Sequence, residues 1–331
     1  MIVVVTGASG LLGRAVAVLL RDAGHEVRTL QRSPSTIDGV HDVRGSVTER
    51  DVVEAAVAGA DGVVHLAAKV SLAGDRDDFW RVNVGGTRTL LDAAERAGVR
   101  RVVQVSSPSV AHTGSSLAGV GAEPADPDHA RGDYARTKAE GELLALARNS
   151  GSLSVVAVRP HLVWGPGDTQ LIARIVDRAR RGTLPLLNDG TALIDTTYID
   201  NAASGIVAAF ESAEQVAGRR YVITNGEPRP VAELMAGICA AAGVPAPRFS
   251  IPAGLATVAG SAIEHLWSIR PGRDEPPMTR FLAEQLSTSH WFDQRDTRRE
   301  LRWTPSVSID EGLRYLAAHE SGHSVPTAVP S

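Results

Sequence analysis

The chain has 331 residues, which is enough for two domains or one large α/β unit. The formal net charge is −4 and the arginines are scattered, which excludes the basic stripe typical of nucleic-acid-binding proteins. A single cysteine, Cys239, excludes an intramolecular disulfide framework and suits a reducing cytoplasm, where we expect the protein to be located.

The first half of the chain alternates short valine-rich runs with helical segments. The runs are apolar on both faces, as buried parallel strands are, and they predict strands at 2–5, 26–30, 62–65, 101–105 and 154–158. Helices are predicted between them at 11–23, 49–58, 79–97 and 133–149. This alternation, with right-handed crossovers, predicts an α/β fold with a Rossmann-type doubly wound parallel sheet.

The second half is less regular. It predicts helices at 169–181, 201–211, 231–242, 277–286 and 309–319, and a strand at 220–224 that returns to the sheet. We therefore expect a nucleotide-binding Rossmann domain at 1–160, to which segments at about 196–225 return, and a smaller interleaved α/β domain at 161–319 that mainly binds substrate. The loop 112–131 is expected to be mobile and the tail 320–331 disordered.

The most apolar long stretch is 251–267, but prolines, glycines and charged residues interrupt it. It is too broken for a membrane-spanning helix. Three interpretations stay open: a packed helix, a lid over an apolar pocket, or a weak contact with a membrane surface.

Glycines at 7, 10 and 13 follow the first strand and open the first helix, which is the context of a dinucleotide-binding turn. The first glycine permits the tight turn, the second lets the backbone approach a pyrophosphate, and the third allows close helix–sheet packing. Exposed N–H groups and the helix dipole then hold the anion. The expected cofactor contacts of this turn are Gly7, Ser9, Gly10, Leu11, Leu12 and Gly13.

The end of the second strand indicates which dinucleotide binds. An acid there holds the ribose hydroxyls of NAD and repels a 2′-phosphate. Here Gln31 occupies that position and Arg32 follows, and a guanidinium suits a phosphate. We therefore expect NADP, with NAD as the less favoured cofactor.

Tyr134 and Lys138 are four residues apart, which places both on one face of a predicted helix. A free tyrosine has a pKa of about 10, and a nearby ammonium lowers it. We expect Tyr134 to exchange a proton with a substrate oxygen while a hydride moves between substrate and nicotinamide. Lys138 is expected to lower the pKa of Tyr134 and to reach the nicotinamide ribose.

A third catalytic group is expected where the strand 101–105 ends, because ligands lie beyond the carboxyl ends of parallel strands. Ser106 and Ser107 stand there, and one hydroxyl is placed to hydrogen-bond the substrate oxygen. We favour Ser107, with Ser106 second. The alternative is that the serine caps the loop backbone.

With these motifs in place, the chain resembles the extended short-chain dehydrogenase/reductase family over nearly its whole length. TGASGLLG at 6–13 is similar to the cofactor turn, VVHLAA at 63–68 to the fourth strand, and VRPHLVWGPGD at 158–168 to a turn beside the nicotinamide. The resemblance implies a backbone-positioning role for Asn83 and a place for His161 beside the nicotinamide. It also implies cofactor contacts from Ala67, Ala68, Lys69, Pro160 and Val163.

The segments 217–234, 249–256 and 276–316 resemble the 3β-hydroxysteroid dehydrogenase and sterol-4α-carboxylate 3-dehydrogenase branch, which includes bacterial reductases of long-chain 2-alkyl-3-keto acids. The resemblance implies an oxidoreductase that interconverts a secondary alcohol and a ketone in a bulky apolar small molecule, and it is compatible with a homodimer. One departure is the segment 110–114, Val-Ala-His-Thr-Gly, where many members carry Val-Tyr-Gly.

Two other functions stay open. A nucleotide-sugar epimerase or dehydratase has the same fold, but a dehydratase is expected to carry an Asp-Glu pair where Pro108-Ser109 stands. A non-catalytic NADP-binding sensor has no need of Tyr134, Lys138 and a serine together. The spacing of His, Asp and Glu predicts no metal site.

Overall fold

A computed structural model describes residues 1–71, 74–268 and 279–322. Strands and helices alternate through the first half. In chain order they are β1 (Ile2–Thr6), α1 (Leu11–Asp22), β2 (Glu26–Gln31), β3 (His41–Arg44), α2 (Arg50–Val57), β4 (Gly62–His65), α3 (Arg76–Phe79), α4 (Thr87–Ala97), β5 (Arg101–Val105), β6 (Leu117–Val120), α5 (Gly132–Leu146) and β7 (Ser154–Pro160). One π-helical stretch, Trp80–Gly86, joins α3 to α4 without a break.

The second half contains shorter strands. Its elements are β8 (Val163–Trp164), α6 (Ile172–Arg180), β9 (Leu186–Leu187), β10 (Leu193–Ile194), β11 (Thr197–Tyr198), α7 (Ile199–Glu211), β12 (Arg220–Ile223), β13 (Arg229–Pro230), α8 (Val231–Ala241), β14 (Ser250–Ile251), α9 (Ala253–Ser268), α10 (Arg280–Ser287), β15 (His290–Phe292), α11 (Arg295–Leu301) and α12 (Ile309–Glu320).

Seven strands form the central sheet in the order β12-β7-β5-β4-β1-β2-β3, and every neighbouring pair is parallel. The predicted doubly wound sheet is therefore confirmed. The strand order reverses between β1 and β4, and ligands of such sheets bind at the carboxyl ends of the strands at this switch point.

Alternate valines of one strand are buried on opposite faces of the sheet. Val3 and Val5 belong to a core with α1 and α7, whereas Val4 belongs to a second core with α2 and α4. This explains why the strands are apolar at every position. A third core unites α6, α8 and α12, and Leu11 and Leu12 pack against it. The glycine turn therefore lies where the sheet meets the C-terminal elements.

The structure differs from the sequence expectations in several places, beginning with the short strands that were not predicted. The strand β3 and the helix α11 were not predicted, because four half-exposed residues and a charged heptapeptide carry little periodicity. The loop 112–131 is not wholly irregular, since β6 within it pairs with β15. In the expected tail 320–331, Glu320 still belongs to α12, while 323–331 lie outside the described residues.

The apolar segment 251–267 forms α9, which packs on α10 with Gly260 against the backbone of Thr279 and Arg280. Its opposite side is apolar and open, since Leu255 is 64% and Val258 70% exposed. No helix in the described ranges is both long and apolar enough to span a bilayer. The packed-helix interpretation accounts for one side of α9 and leaves the exposed side unassigned.

Candidate active site at the carboxyl edge of the sheet

The residues predicted from different parts of the sequence follow the same edge of the sheet. The glycine turn follows β1, Arg32 follows β2, 67–69 follow β4, and the two serines follow β5. Pro160 closes β7 and Val163 opens β8. Because all these strands are parallel, their carboxyl ends are neighbours, and the fold brings the predicted groups together.

The glycine turn leaves no space for side chains. Gly7 has a φ of +78°, which disfavours other residues, and a Cβ on Gly13 would lie 2.3 Å from the carbonyl oxygen of Gly7. The amide of Gly10 donates to the same oxygen at 3.0 Å. Within the described residues no side chain caps α1 and no acid occupies its first turn. The helix N-terminus therefore fits a pyrophosphate.

Around the end of β2, a hydrogen-bond network fixes the orientation of Gln31. Its amide nitrogen donates to Thr29 Oγ1 and to Asp42 Oδ1, both at 3.1 Å, and Thr29 Oγ1 donates to the same carboxylate. Since both neighbours accept from the amide nitrogen, Gln31 Oε1 points away from them. This oxygen is buried and makes no hydrogen bond with any described residue. It is an acceptor suited to a ribose hydroxyl.

Asp42 is an acid that the sequence reasoning missed, because it lies on the unpredicted strand β3. Its other oxygen accepts from the amide of Ser35 at 3.0 Å. Burial raises the pKa of Asp42, but hydrogen bonds from Thr29, Ser35 and Gln31 outweigh it and hold the pKa below its usual value. A carboxylate therefore stands behind Gln31.

Two arginines flank this network. Arg32 is exposed, as a residue that meets a cofactor phosphate needs to be. Arg14, which the sequence reasoning did not single out, uses one terminal nitrogen to donate to Ser35 O (2.9 Å), Thr36 O (3.1 Å) and Thr36 Oγ1 (2.9 Å). The other terminal nitrogen of Arg14 makes no hydrogen bond with the described part of the chain.

The segment after β4 is held by buried side chains. The amides of Leu66 and Ala67 donate to Thr6 Oγ1 at 3.1 and 2.9 Å. Asn83, on the π-helical stretch, accepts from the amide of Lys69 at 2.7 Å and donates to its carbonyl at 3.2 Å. The backbone-positioning role expected for Asn83 agrees with this geometry. Ala67, Ala68 and Lys69 are half-buried.

The hydroxyl of Ser107 receives two hydrogen bonds. Ser109 donates to Ser107 Oγ from its amide at 3.3 Å and from its hydroxyl at 3.0 Å. Ser107 thus caps the short helix Pro108–Ala111, which was the alternative role considered for this serine. It also contacts Tyr134. Since Ser109 fills both acceptor positions of this hydroxyl, Ser107 uses its own hydrogen toward Tyr134, and this donation favours the phenolate. Ser106 Oγ is buried and makes no hydrogen bond within the described ranges.

Tyr134 and Lys138 lie in the first two turns of α5, as predicted. Lys138 is 5% exposed, and its Nζ donates to the carbonyl of Val105 at 2.6 Å. Burial lowers the pKa of Lys138 to about 8, while Glu142 acts to raise it. Burial raises the pKa of Tyr134, and the contact with Ser107 opposes this. The pKa of Tyr134 is therefore raised rather than lowered in this arrangement, because burial outweighs the contact with Ser107.

The turn after β7 carries a neutral histidine. His161 Nδ1 lies 2.7 Å from the carbonyl oxygen of Asp195, so this nitrogen must carry the hydrogen and Nε2 is an acceptor. Burial lowers the pKa of His161 to about 4. Leu162, next in the chain, has a φ of +41°, which is strained for a leucine. The ring of His161 lies 5.9 Å from that of His290.

His112, within the segment 110–114 that departs from the family pattern, lies with its ring 4.7 Å from that of His290 and completes an imidazole cluster. Burial lowers the pKa of His290 to about 3. Nearby Asp195 has its pKa raised to about 6 by burial, although Thr224 donates to its carboxylate at 2.7 Å. Among the described residues, no group of His, Cys, Asp and Glu is arranged to hold a metal ion.

Residues 3–224 match the model of the NAD dependent epimerase/dehydratase family. The chain belongs to this family. A relative within it, the 2-alkyl-3-oxoalkanoate reductase of Stenotrophomonas maltophilia, is 43% identical over 325 residues, which cover 96% of this chain and 98% of that protein. The 3 beta-hydroxysteroid dehydrogenase/Delta 5→4-isomerase of Mycobacterium tuberculosis is 31% identical over 328 residues, covering 94% and 88%.

Solved structures of the family have the same fold. MoeE5 in complex with UDP-glucuronic acid and NAD has a TM-score of 0.74 at 26% identity and covers 97% of this chain and 99% of its own. The resemblance to extended short-chain dehydrogenases/reductases is confirmed. The protein is an NAD(P)-dependent oxidoreductase of this type.

Proposed function

We propose that the protein reduces a ketone in a bulky, mostly apolar substrate to a secondary alcohol with NADPH, and that the substrate is a 2-alkyl-3-oxoalkanoate or a ketone of similar size. The observation that carries this proposal is the placement of Ser107, Tyr134 and Lys138 at one edge of the sheet, with Ser107 touching Tyr134. The similarity to a 2-alkyl-3-oxoalkanoate reductase along almost the whole chain supports the substrate class.

In the proposed reaction, the bound nicotinamide supplies a hydride to the carbonyl carbon. Tyr134 gives its phenolic proton to the carbonyl oxygen, which completes the alcohol. When the ketone binds, Ser107 turns its one hydrogen from Tyr134 to the carbonyl oxygen, while Ser109 keeps the Ser107 hydroxyl in place by donating to it. Lys138 supplies positive charge that stabilises the phenolate left on Tyr134.

For the cofactor, we propose that Arg14 and Arg32 bind the 2′-phosphate of NADP. Both stand beside the loop that follows β2, and Arg14 is already anchored to that loop through one nitrogen. The buried Gln31 Oε1 suits an unphosphorylated ribose equally well, and Asp42 lies behind it. We therefore expect NADPH to be preferred to NADH by a moderate factor rather than absolutely.

The test is a screen of cofactor oxidation with the full chain, using a 2-alkyl-3-oxoalkanoate, a 3-ketosteroid and UDP-glucose as probes. We expect turnover with one of the first two. Tyr134→Phe is expected to keep NADPH binding and to lose turnover by about a hundredfold or more, because proton transfer by a side chain contributes that much. Tyr315→Phe, which removes a hydroxyl on α12, is the matched control.

Two outcomes would overturn the proposal. Conversion of UDP-glucose without net cofactor oxidation would favour an epimerase, as would nucleotide retained through purification. Full turnover of a ketone by Tyr134→Phe would show that Tyr134 does not transfer the proton.

A further inference from the structure

A fully buried ion pair lies one helical turn beyond Lys138. Glu142 on α5 is 0% exposed, and its side-chain oxygens accept from Arg159 Nε at 2.9 Å and from a terminal nitrogen at 2.5 Å. Arg159, on β7, is 1% exposed. Its remaining nitrogen donates to the carbonyl of Glu123 at 2.6 Å, in the segment that leads to α5.

This ion pair and Lys138 attach the same helix face to two neighbouring strands. Lys138 donates to Val105 on β5, and Val105 is aligned with Val158, the residue before Arg159 on β7. Residues four apart on a helix lie on one face, so the Glu142 carboxylate stands close to the Lys138 ammonium without bonding to it. Each of its two oxygens accepts a hydrogen bond from Arg159 instead.

Within the described residues, the other titratable groups that face Lys138 do not supply negative charge. His65 on β4 accepts from or donates to Thr6 and Thr87 and has its pKa lowered to about 3, first by burial and then by Lys138 itself. Tyr134, on the same helix, is a neutral phenol at pH 7 because burial raises its pKa. Glu142 is thus the carboxylate that opposes the cost of burying the ammonium.

We propose that Glu142 is a positioning residue for the reaction: oriented by Arg159, it keeps the buried Lys138 side chain in its ammonium form. Stability alone does not account for the pair, since an apolar pair of equal volume is often as stable as a buried salt bridge. Because the Glu142 carboxylate lies beside Lys138, its negative charge stabilises the ammonium form of that lysine. This inference depends on the proposed function only in assigning Lys138 to the reaction.

The sign of the expected effect follows from the geometry. In Glu142→Gln the Arg159 guanidinium loses its counter-charge, so the field at Lys138 changes from attractive to repulsive. The ammonium then loses its proton at lower pH. In Glu142→Asp the negative charge is kept, and Lys138 is expected to titrate close to the wild-type value.

The sequence offers an unusually direct readout, because Lys69 and Lys138 are its only two lysines. Lysine labelled with carbon-13 at Cε therefore gives two signals in the full chain, and a pH titration followed by NMR reports Lys138 directly. Lys69, paired with Asp78 at 3.1 Å, is the internal reference. We expect the Lys138 midpoint in Glu142→Gln to move to lower pH by about one pH unit, with the Lys69 signal unaffected.

The matched control is Arg148→Gln. Arg148 lies just beyond α5, ten residues after Lys138 in the sequence. It donates hydrogen bonds to Asp92 at 2.8 Å and to Glu95 at 2.7 Å. This variant is expected to leave the Lys138 midpoint unchanged. If Glu142→Gln does not fold, the double variant Glu142→Gln/Arg159→Gln replaces it, because it does not leave the Arg159 guanidinium buried without its partner. Its midpoint is expected to move in the same direction by a smaller amount.

An unchanged Lys138 midpoint in a folded Glu142→Gln or double variant would overturn the inference. Turnover gives the second readout: the alkaline fall in the oxidation of a 2-alkyl-3-hydroxyalkanoate by NADP is expected at lower pH in Glu142→Gln and at the wild-type pH in Glu142→Asp. The proposed function fails separately, if Lys138→Met retains turnover, and the NMR result would stand even then.

Discussion

Acidification should destabilise this protein sharply, because three histidines are buried in neutral form. Burial lowers the pKa of His65 to about 3, that of His161 to about 4 and that of His290 to about 3. In the unfolded chain each titrates at about 6.5. Below that pH the unfolded chain binds protons at these histidines and the folded protein does not. The contribution of the neutral histidines to the free energy of unfolding is therefore fully present above pH ~6.5 and is lost as the pH falls toward 4.

The size of the effect follows from these values. Each histidine costs about 1.4 kcal/mol for every pH unit below its unfolded pKa, or about 2 kcal/mol at pH 5. Asp195 acts in the opposite sense, because burial raises its pKa to about 6 and the folded protein takes up its proton first. Protonation of Asp195 therefore raises the free energy of unfolding by about 1.4 kcal/mol between pH 6 and pH 5. The net loss between pH 7 and pH 5 is therefore about 4 to 5 kcal/mol, a large part of the stability of a typical domain.

Urea unfolding followed by tryptophan fluorescence at pH 7, 6 and 5 measures this loss. His161→Gln removes one of the three protons and is expected to reduce the slope by about 1.4 kcal/mol per pH unit. His319→Gln, at an exposed position on α12, should leave the slope unchanged. Equal free energies of unfolding at pH 7 and pH 5 would show that the buried imidazoles are charged in the folded protein, which would refute the reasoning.

Two further substitutions test the cofactor site. Gly13→Ala places a Cβ 2.3 Å from the Gly7 oxygen, so we expect a loss of about 1–3 kcal/mol in stability and of most NADPH affinity, measured by nicotinamide fluorescence. Gly151→Ala, where a Cβ meets nothing within 4 Å, is the control, and intact binding by Gly13→Ala would contradict the assignment of the turn. Arg32→Ala, alone or with Arg14→Met, should lower the ratio of kcat/KM with NADPH to kcat/KM with NADH by about tenfold. An unchanged ratio would show that these arginines do not bind the 2′-phosphate.

Much of the sheet, and the positions of the candidate site residues along its carboxyl edge, could be predicted because the signals are local. The valine runs predicted five strands of the sheet within two residues at each end. The three glycines lie in one turn, and Tyr134 and Lys138 lie on one helix. Such patterns need only neighbouring residues to be interpreted.

The missed residues act across long distances in the chain. Asp42 matters because β3 aligns it with Thr29, and Glu142 because β7 carries Arg159 to it. His290 meets His112 only when the C-terminal strand returns. No local pattern encodes these partners, and the polar side chains involved are ordinary surface residues when considered alone.

The pairing of β6 with β15 has a consequence for synthesis in the cell. The segment that leads into α5 contains β6, whose partner β15 lies about 170 residues further along the chain, where Leu117 aligns with His290. A ribosome adds about 5–20 residues per second, so the glycine turn and α5 are made well before this strand emerges. A nascent chain therefore has time to form the glycine turn first, and it completes the proposed active site only near the end of translation.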